Sequence, residues 1–505
     1  MRDKISKVDW PLVVVPILAI LLVSYLIDKF PQSARHELTI IRSFFNNQLT
    51  VVYVFIGVFF LLSTIFVAGS KIGRIKLGGA ITTPQYSNLR WGIMIFTSTM
   101  SADIIFYSLC EWMMYVREPF IQSKGNVMEW SLTYSFFHWG PIAWSFYIML
   151  AVAFGYMLYV KGNRRQKFSE ACRPLLGHWT DGIPGKLIDL VAIFALLAGT
   201  ATTFSMSMPL LSTAVGQLFG IHPENSLSLV LICVVVIIYL TASVMGMRAI
   251  SRLSVLCYVC FAGLLLYVLL FSGSFHYILG NGLTSIGNLI VHFPKMATTV
   301  HSQGFTQNWT IYYWSYWIVW CVATPFFIGS ISAGRTIRDV VIRGYLWGLG
   351  GTFLSFMILA NFGMSRQIDH LVSATYLLAH NHNYSQVALA IMKTLPDYSL
   401  ALILLSLSMI GLYSTVFDSI TMVIAKYSYR NLALEEEPSK LMRTFWAIAF
   451  MILPIALLVS DSNVNNIQSV AIIAALPTMV VMVLIVISFY VSVLRNYREK
   501  RRTRK

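Results

Sequence analysis

Tyr313, Trp317 and Trp320 stand at i, i+4 and i+7 in the stretch YYWSYWIVW, which runs from Tyr312 to Trp320. On an α-helix that spacing places three aromatic rings along one face. Aromatic faces attract cations that have no N–H to donate, and the attraction strengthens when both sides are desolvated. The chemistry offered is therefore capture of a quaternary ammonium group inside a membrane. A second set lies in SFFHWGPIAWSFY, where Trp139, Trp144 and Tyr147 project within about 140° of one another on a helical wheel. Trp139, Trp144, Tyr147, Trp317 and Trp320 together supply enough rings to surround a trimethylammonium head, at about 1–2 kcal/mol per desolvated contact. Interfacial belts explain Trp309 and Tyr497, which fall near the ends of apolar runs. They do not explain rings two or more turns inside a run.

Asp103 closes the small, polar stretch Thr97-Ser98-Thr99-Met100-Ser101-Ala102-Asp103 in mid-span. A carboxylate at mid-membrane is costly and by default marks a binding site or a proton path. Beside an aromatic cage it favours a substrate of net positive charge over a zwitterion, and a buried carboxyl can also carry a proton. Asp103, Met100 and Thr415 are the coupling candidates. Glu111, about two turns further on, is expected to bond local backbone. Asp418 is expected to be structural. His138 reads as a packing residue with a minor prospect of relaying protons. His380 and His382 lack further ligands, and Glu435–Glu437 reads as a solvated turn. No Walker motif, phosphate loop or nucleophile elbow occurs, and no nucleophile–base pair accompanies Asp103. We expect no enzyme, no catalytic residues, no cofactor and no metal. Six cysteines fall mostly in apolar runs, and the Cys257/Cys260 pair has no companion ligand cluster.

The elements that must position these groups follow from composition. The 505 residues are 57% hydrophobic and 11% charged, with a mean hydropathy of +0.69. That apolarity exceeds what a soluble core can hide and points to a polytopic all-α membrane protein. Twelve spans are predicted, at about 9–27, 47–69, 91–116, 132–160, 186–218, 227–246, 250–272, 308–331, 343–365, 397–425, 443–460 and 467–494. With the N-terminus cytoplasmic, most of the 37 Lys and Arg fall on the inner side, as the positive-inside rule requires. Both termini are then expected in the cytoplasm of a cell (inner) membrane protein. The +16 charge reports topology and not nucleic-acid binding, and the basic tail Arg495–Lys505 is expected against anionic lipid. Tyr277–Phe293 has the apolar spacing of a helix lying along the outer surface. The third and eighth spans are both interrupted, the eighth by Thr324-Pro325 and Gly329. Paired interruptions five spans apart predict two inverted repeats around a midplane site. The domain plan is two N-terminal helices (1–90), a first repeat (91–272), an outer amphipathic segment (273–307), a second repeat (308–494) and a basic tail (495–505).

At these residues the chain resembles the betaine/choline/carnitine transporter (BCCT) family over nearly its whole length. The pieces that carry the resemblance are Tyr313-Trp314-Ser315-Tyr316-Trp317-Ile318-Val319-Trp320 with Gly334-Arg335-Thr336, and Phe137-His138-Trp139-Gly140 with Trp144. The resemblance implies twelve helices in a LeuT-like fold of two inverted five-helix repeats, spans 3–7 and 8–12, often as a homotrimer. It also implies a cage drawn from the fourth and eighth spans, which maps onto Trp139, Trp144, Tyr147, Trp317 and Trp320. Departures from the family pattern shape the substrate reading. The glycine-rich third-span stretch of sodium-coupled betaine importers is Met100-Ser101-Ala102-Asp103 here, and choline-transporting members carry Asp at what resembles position 103. The tenth-span Thr-Ser pair that helps bind sodium is Thr415-Val416, and valine offers no oxygen. The seventh-span Arg of the carnitine antiporters aligns with Cys257. The Arg-Ile-Ser-Arg run is Ser330-Ile331-Ser332-Ala333, and the short tail weakens an osmosensing reading. The expectation is a secondary transporter of choline or another cationic quaternary amine without conventional sodium coupling, in which Asp103 balances the charge or carries a proton. Carnitine- or betaine-type exchange and sodium-coupled glycine betaine import are the alternatives. A ligand sensor on the same scaffold is the reading from another class.

Overall fold

A computed structural model describes residues 7–502 apart from 80, 101, 164, 223–224, 246, 382, 433–435 and 461–463. Ser101, His382 and Glu435, read above from sequence, lie outside the described residues. Among the described residues the chain is helical, with two isolated backbone bridges and no strand. Each of the twelve apolar runs coincides with a helix or a helix pair.

Helices α1 (Trp10–Lys29), α2 (Pro31–Gln48) and α3 (Thr50–Gly69) open the chain. No helix was expected between residues 28 and 46, because α2 is too polar to read as a span. It starts on Pro31, whose fixed φ suits the first turn. Its Arg35 and Arg42 donate to Ser460 O at 3.0 Å and Gln468 Oε1 at 3.1 Å. Those bonds tie α2 to the ends of the last two spans.

The third span is two helices, α4 (Asn88–Thr99) and α5 (Asp103–Tyr115). Met100 between them is extended (φ −92°, ψ 121°). The Thr97 and Thr99 hydroxyls bond back to Ile93 O at 2.9 Å and Ile95 O at 2.6 Å, satisfying α4 carbonyls locally as it ends. The fourth span is also broken, into α6 (Val127–His138) and α7 (Pro141–Tyr159). A Cβ on Gly140 would lie 2.2 Å from Phe136 O, so only glycine fits that hinge.

Helix α8 (Phe168–Leu176) fills part of the loop between spans four and five. It is followed by α9 (Ile183–Phe219), α10 (Asn225–Met245), α11 (Met247–Phe271) and α12 (Phe275–Thr298). Helix α12 turns 111° from the 255–271 part of α11. It therefore runs at a steep angle to that helix.

The eighth span has a π turn at Thr306–Thr310, then α13 (Ile311–Trp320) and α14 (Thr324–Ser330), with a 50° bend between the halves. Pro325 sits in the first turn of α14, where its missing N–H costs nothing. Helix α14 packs on α7, where Gly329 would place a Cβ 2.9 Å from Ala151 O. Helices α15 (Ile337–Ile368), α16 (Ala374–Asn381), α17 (Tyr384–Met392), α18 (Tyr398–Tyr427), α19 (Lys440–Val459) and α20 (Val464–Arg502) complete the chain. Among the described residues eight helices are individually long and apolar enough to cross a membrane, or up to ten if each sharply bent pair counts as one span. The split third span and the short apolar part of α10 account for the difference from twelve.

Candidate functional site

The broken third, fourth and eighth spans converge on one buried cavity. Trp139, Tyr147, Trp317 and Trp320 give it aromatic walls, and Thr99, Met100, Asp103 and Tyr316 complete it. Trp317 is the hub, with ring centroids 5.6 Å from Trp139, 5.4 Å from Trp144 and 4.8 Å from Tyr147. The rings lie so close that the cavity volume is about 20 Å³, room for about one water molecule. Among the described residues no Lys, Arg or His lines this cavity.

Asp103 is 5% exposed. Its carboxylate accepts the Tyr316 hydroxyl, and Tyr316 in turn accepts from Thr203 on α9. Tyr107, one turn along α5 from Asp103, bonds Tyr312 through the two hydroxyls. Sequence reasoning passed over Tyr316 and Thr203. Tyr316 adjoins the predicted ring face, and its role depends on a carboxylate far away in the chain.

Other expected residues fall elsewhere. Trp144 is fully buried behind Trp317, wedged against Gly348, where a Cβ would lie 2.6 Å from the indole. It braces the cage without lining the cavity. Tyr313 stacks on His138 at 4.9 Å and an interplanar angle of 11° and meets the cage wall Trp139 edge-on at 6.1 Å, without lining the cavity. Thr415 bonds its own helix at Leu412 O (3.1 Å) and does not line the cavity. Asp418 pairs with Arg443 at 2.7 Å, joining α18 to α19. Cys257 packs on α18, where a Cβ on Gly411 would lie 2.6 Å from the Cys257 Cβ. That space holds no long side chain.

Glu111 corrects the sequence expectation, since its partners are side chains and not local backbone. It is fully buried and accepts from Tyr115 Oη and from Trp139 Nε1, both at 2.8 Å. Tyr115 also bonds His138 Nδ1 at 2.7 Å, and His138 Nε2 meets Thr310 Oγ1 at 2.9 Å.

A broken-helix membrane protein with a buried aromatic cage closed by one carboxylate is built like a secondary transporter, with its site between interrupted spans. The family profile described as BCCT, betaine/carnitine/choline family transporter, matches residues 11–498, and the chain belongs to that family of transporters. It is similar to the glycine betaine transporter OpuD of Bacillus subtilis (strain 168), with 30% identity over 100% of this chain and 98% of the relative. The osmo-dependent choline transporter BetT2 of Acinetobacter baylyi is 26% identical over 99% of this chain and 73% of its own. The carnitine transporter of Acinetobacter baumannii is 26% identical over 86% and 79%. A solved Na⁺-coupled sialic acid symporter in a substrate-bound outward-open state aligns with 84% of this chain and 82% of its own, at 14% identity and a TM-score of 0.40.

Proposed function

We propose that this transporter carries a cationic quaternary amine, choline or a close analogue, across the inner membrane without conventional sodium coupling. One observation carries the reading: the aromatic walls Trp139, Tyr147, Trp317 and Trp320 share their cavity with the Asp103 carboxylate and, among the described residues, with no basic side chain. The rings suit a trimethylammonium head, and the carboxylate balances its charge or exchanges it for a proton. Met100 and Asp103 stand at the unwound turn where a coupling group belongs. Thr415 is retained as a weaker coupling candidate. Both termini are taken as cytoplasmic, spans 3–7 and 8–12 as the inverted repeats, and the assembly as a homotrimer in contact with anionic lipid.

A second reading has its own support. The Trp317 Nε1 is buried without a hydrogen-bond partner, and a substrate carboxylate would satisfy it, as in carnitine- or betaine-type exchange. Choline uptake into sodium-free proteoliposomes, with and without an inward proton gradient, separates the two. Uptake that needs both the gradient and Asp103, and is lost in Asp103→Gly, supports the cationic reading. Absence of choline uptake under every condition, with counterflow of carnitine intact, sinks it in favour of exchange.

A further inference from the structure

Glu111 and Asp103 lie eight residues apart on α5, about 12 Å along the helix axis. Asp103 lines the cavity itself and bonds Tyr316, whereas Glu111 reaches the cage through the Trp139 indole N–H. With Glu111 ionised, both its oxygens accept: Trp139 Nε1–H donates to Oε2 and Tyr115 to Oε1, Tyr115 accepts from His138 Nδ1–H, and Thr310 donates to His138 Nε2. His138 Nδ1 lies 3.9 Å from Glu111 Oε1, the one imidazole beside it.

We propose that Glu111 is a specificity-determining residue of the cage that acts through Trp139; this rests on the cation-transport reading above. Its bond fixes the indole in the plane that walls the cavity. A charged acceptor on the indole N–H also pushes electron density into the ring, which deepens the attraction of its face for a cation. With Asp103 on the other flank, the cage sits between two negative poles. A substrate of net positive charge gains from both, whereas a zwitterion brings its own carboxylate into the same field.

The test is competition in proteoliposomes holding the full chain, against whichever labelled compound the wild type takes up. Tetramethylammonium and glycine betaine are the competitors, and the ratio of their inhibition constants is the readout. Glu111→Gln keeps an oxygen for the Trp139 N–H and removes the charge. It should shift the ratio about 5- to 10-fold against the cation, with glycine betaine binding unchanged or tighter. Trp139→Phe keeps a ring and removes the donor, and should shift the ratio in the same direction. The double variant should add little to either single change, because the charge acts through the indole. Equal weakening of both competitors in Glu111→Gln, or additive losses in the double variant, would overturn the proposal. A wild type that takes glycine betaine and refuses choline would defeat the substrate reading, while the shift in ratio still reports on Glu111.

Discussion

Asp103 and Trp317 make different demands on a substrate, and single substitutions should separate them. Trp317 touches three other rings, so Trp317→Ala removes a cation–π face and opens a void. Loss of about 1–2 kcal/mol predicts a rise in KM of roughly 5- to 30-fold for any trimethylammonium compound. Asp103→Asn keeps the shape and an acceptor for Tyr316 but discards the charge. Its expected result is loss of choline uptake with zwitterion binding retained, measured by substrate competition. Equal loss for both compounds would assign Asp103 to packing. Periodicity made Trp139, Tyr147, Trp317 and Trp320 legible, because rings repeating on one helical face have few structural explanations in mid-span. Tyr316 and Glu111 were not legible in that way. Their partners lie on other helices, and no local pattern announces a contact from Asp103 to Tyr316 or from Glu111 to Trp139.

At the scale of the elements, close helix contacts should be as sensitive as the cage. Gly348 on α15 faces the Trp144 indole, and a Cβ there would come within 2.6 Å of it. Gly348→Val should therefore displace Trp144 into Trp317, with an overpacking cost of about 1–3 kcal/mol. Reduced uptake together with a lower melting temperature in detergent is the expected outcome. Near α8, Arg173 clasps Asp181 with two N–H bonds of 2.8 and 2.5 Å, and this holds the Asp181 carboxyl below its usual range. A depressed carboxyl contributes stability above its unfolded pKa, and that contribution disappears as pH falls through the folded value. Asp181→Asn should thus lower the melting temperature slightly at pH 7 and lose that difference in acid. The effect is small because Asp181 is largely exposed. The broken third and eighth spans were readable from Thr/Ser clusters and from Pro325. Helix α2 was not, since it is amphipathic but too polar overall to read as a span. Arg35 and Arg42 hold it by reaching carbonyl and amide groups at the ends of distant spans.

For the whole molecule, the all-helical, membrane-spanning plan was legible because a bilayer permits few ways to satisfy backbone hydrogen bonds. The order of packing around Trp317 was not, since it depends on how α7, α13 and α15 meet. The proposed topology makes a direct prediction: in intact cells a membrane-impermeant maleimide should label Lys295→Cys on α12 and leave Lys161→Cys unlabelled. The opposite pattern would invert the protein. A cage that leaves only about 20 Å³ among its rings also has a pharmacological consequence. Such a carrier completes its cycle by folding its walls around the cargo, so cargo must be small enough to be wrapped. Quaternary ammonium surfactants share the head that the rings attract but trail an alkyl chain that cannot be enclosed. They should act as wedges, seated like a substrate and never released on the other side, and so stop the carrier as competitive blockers.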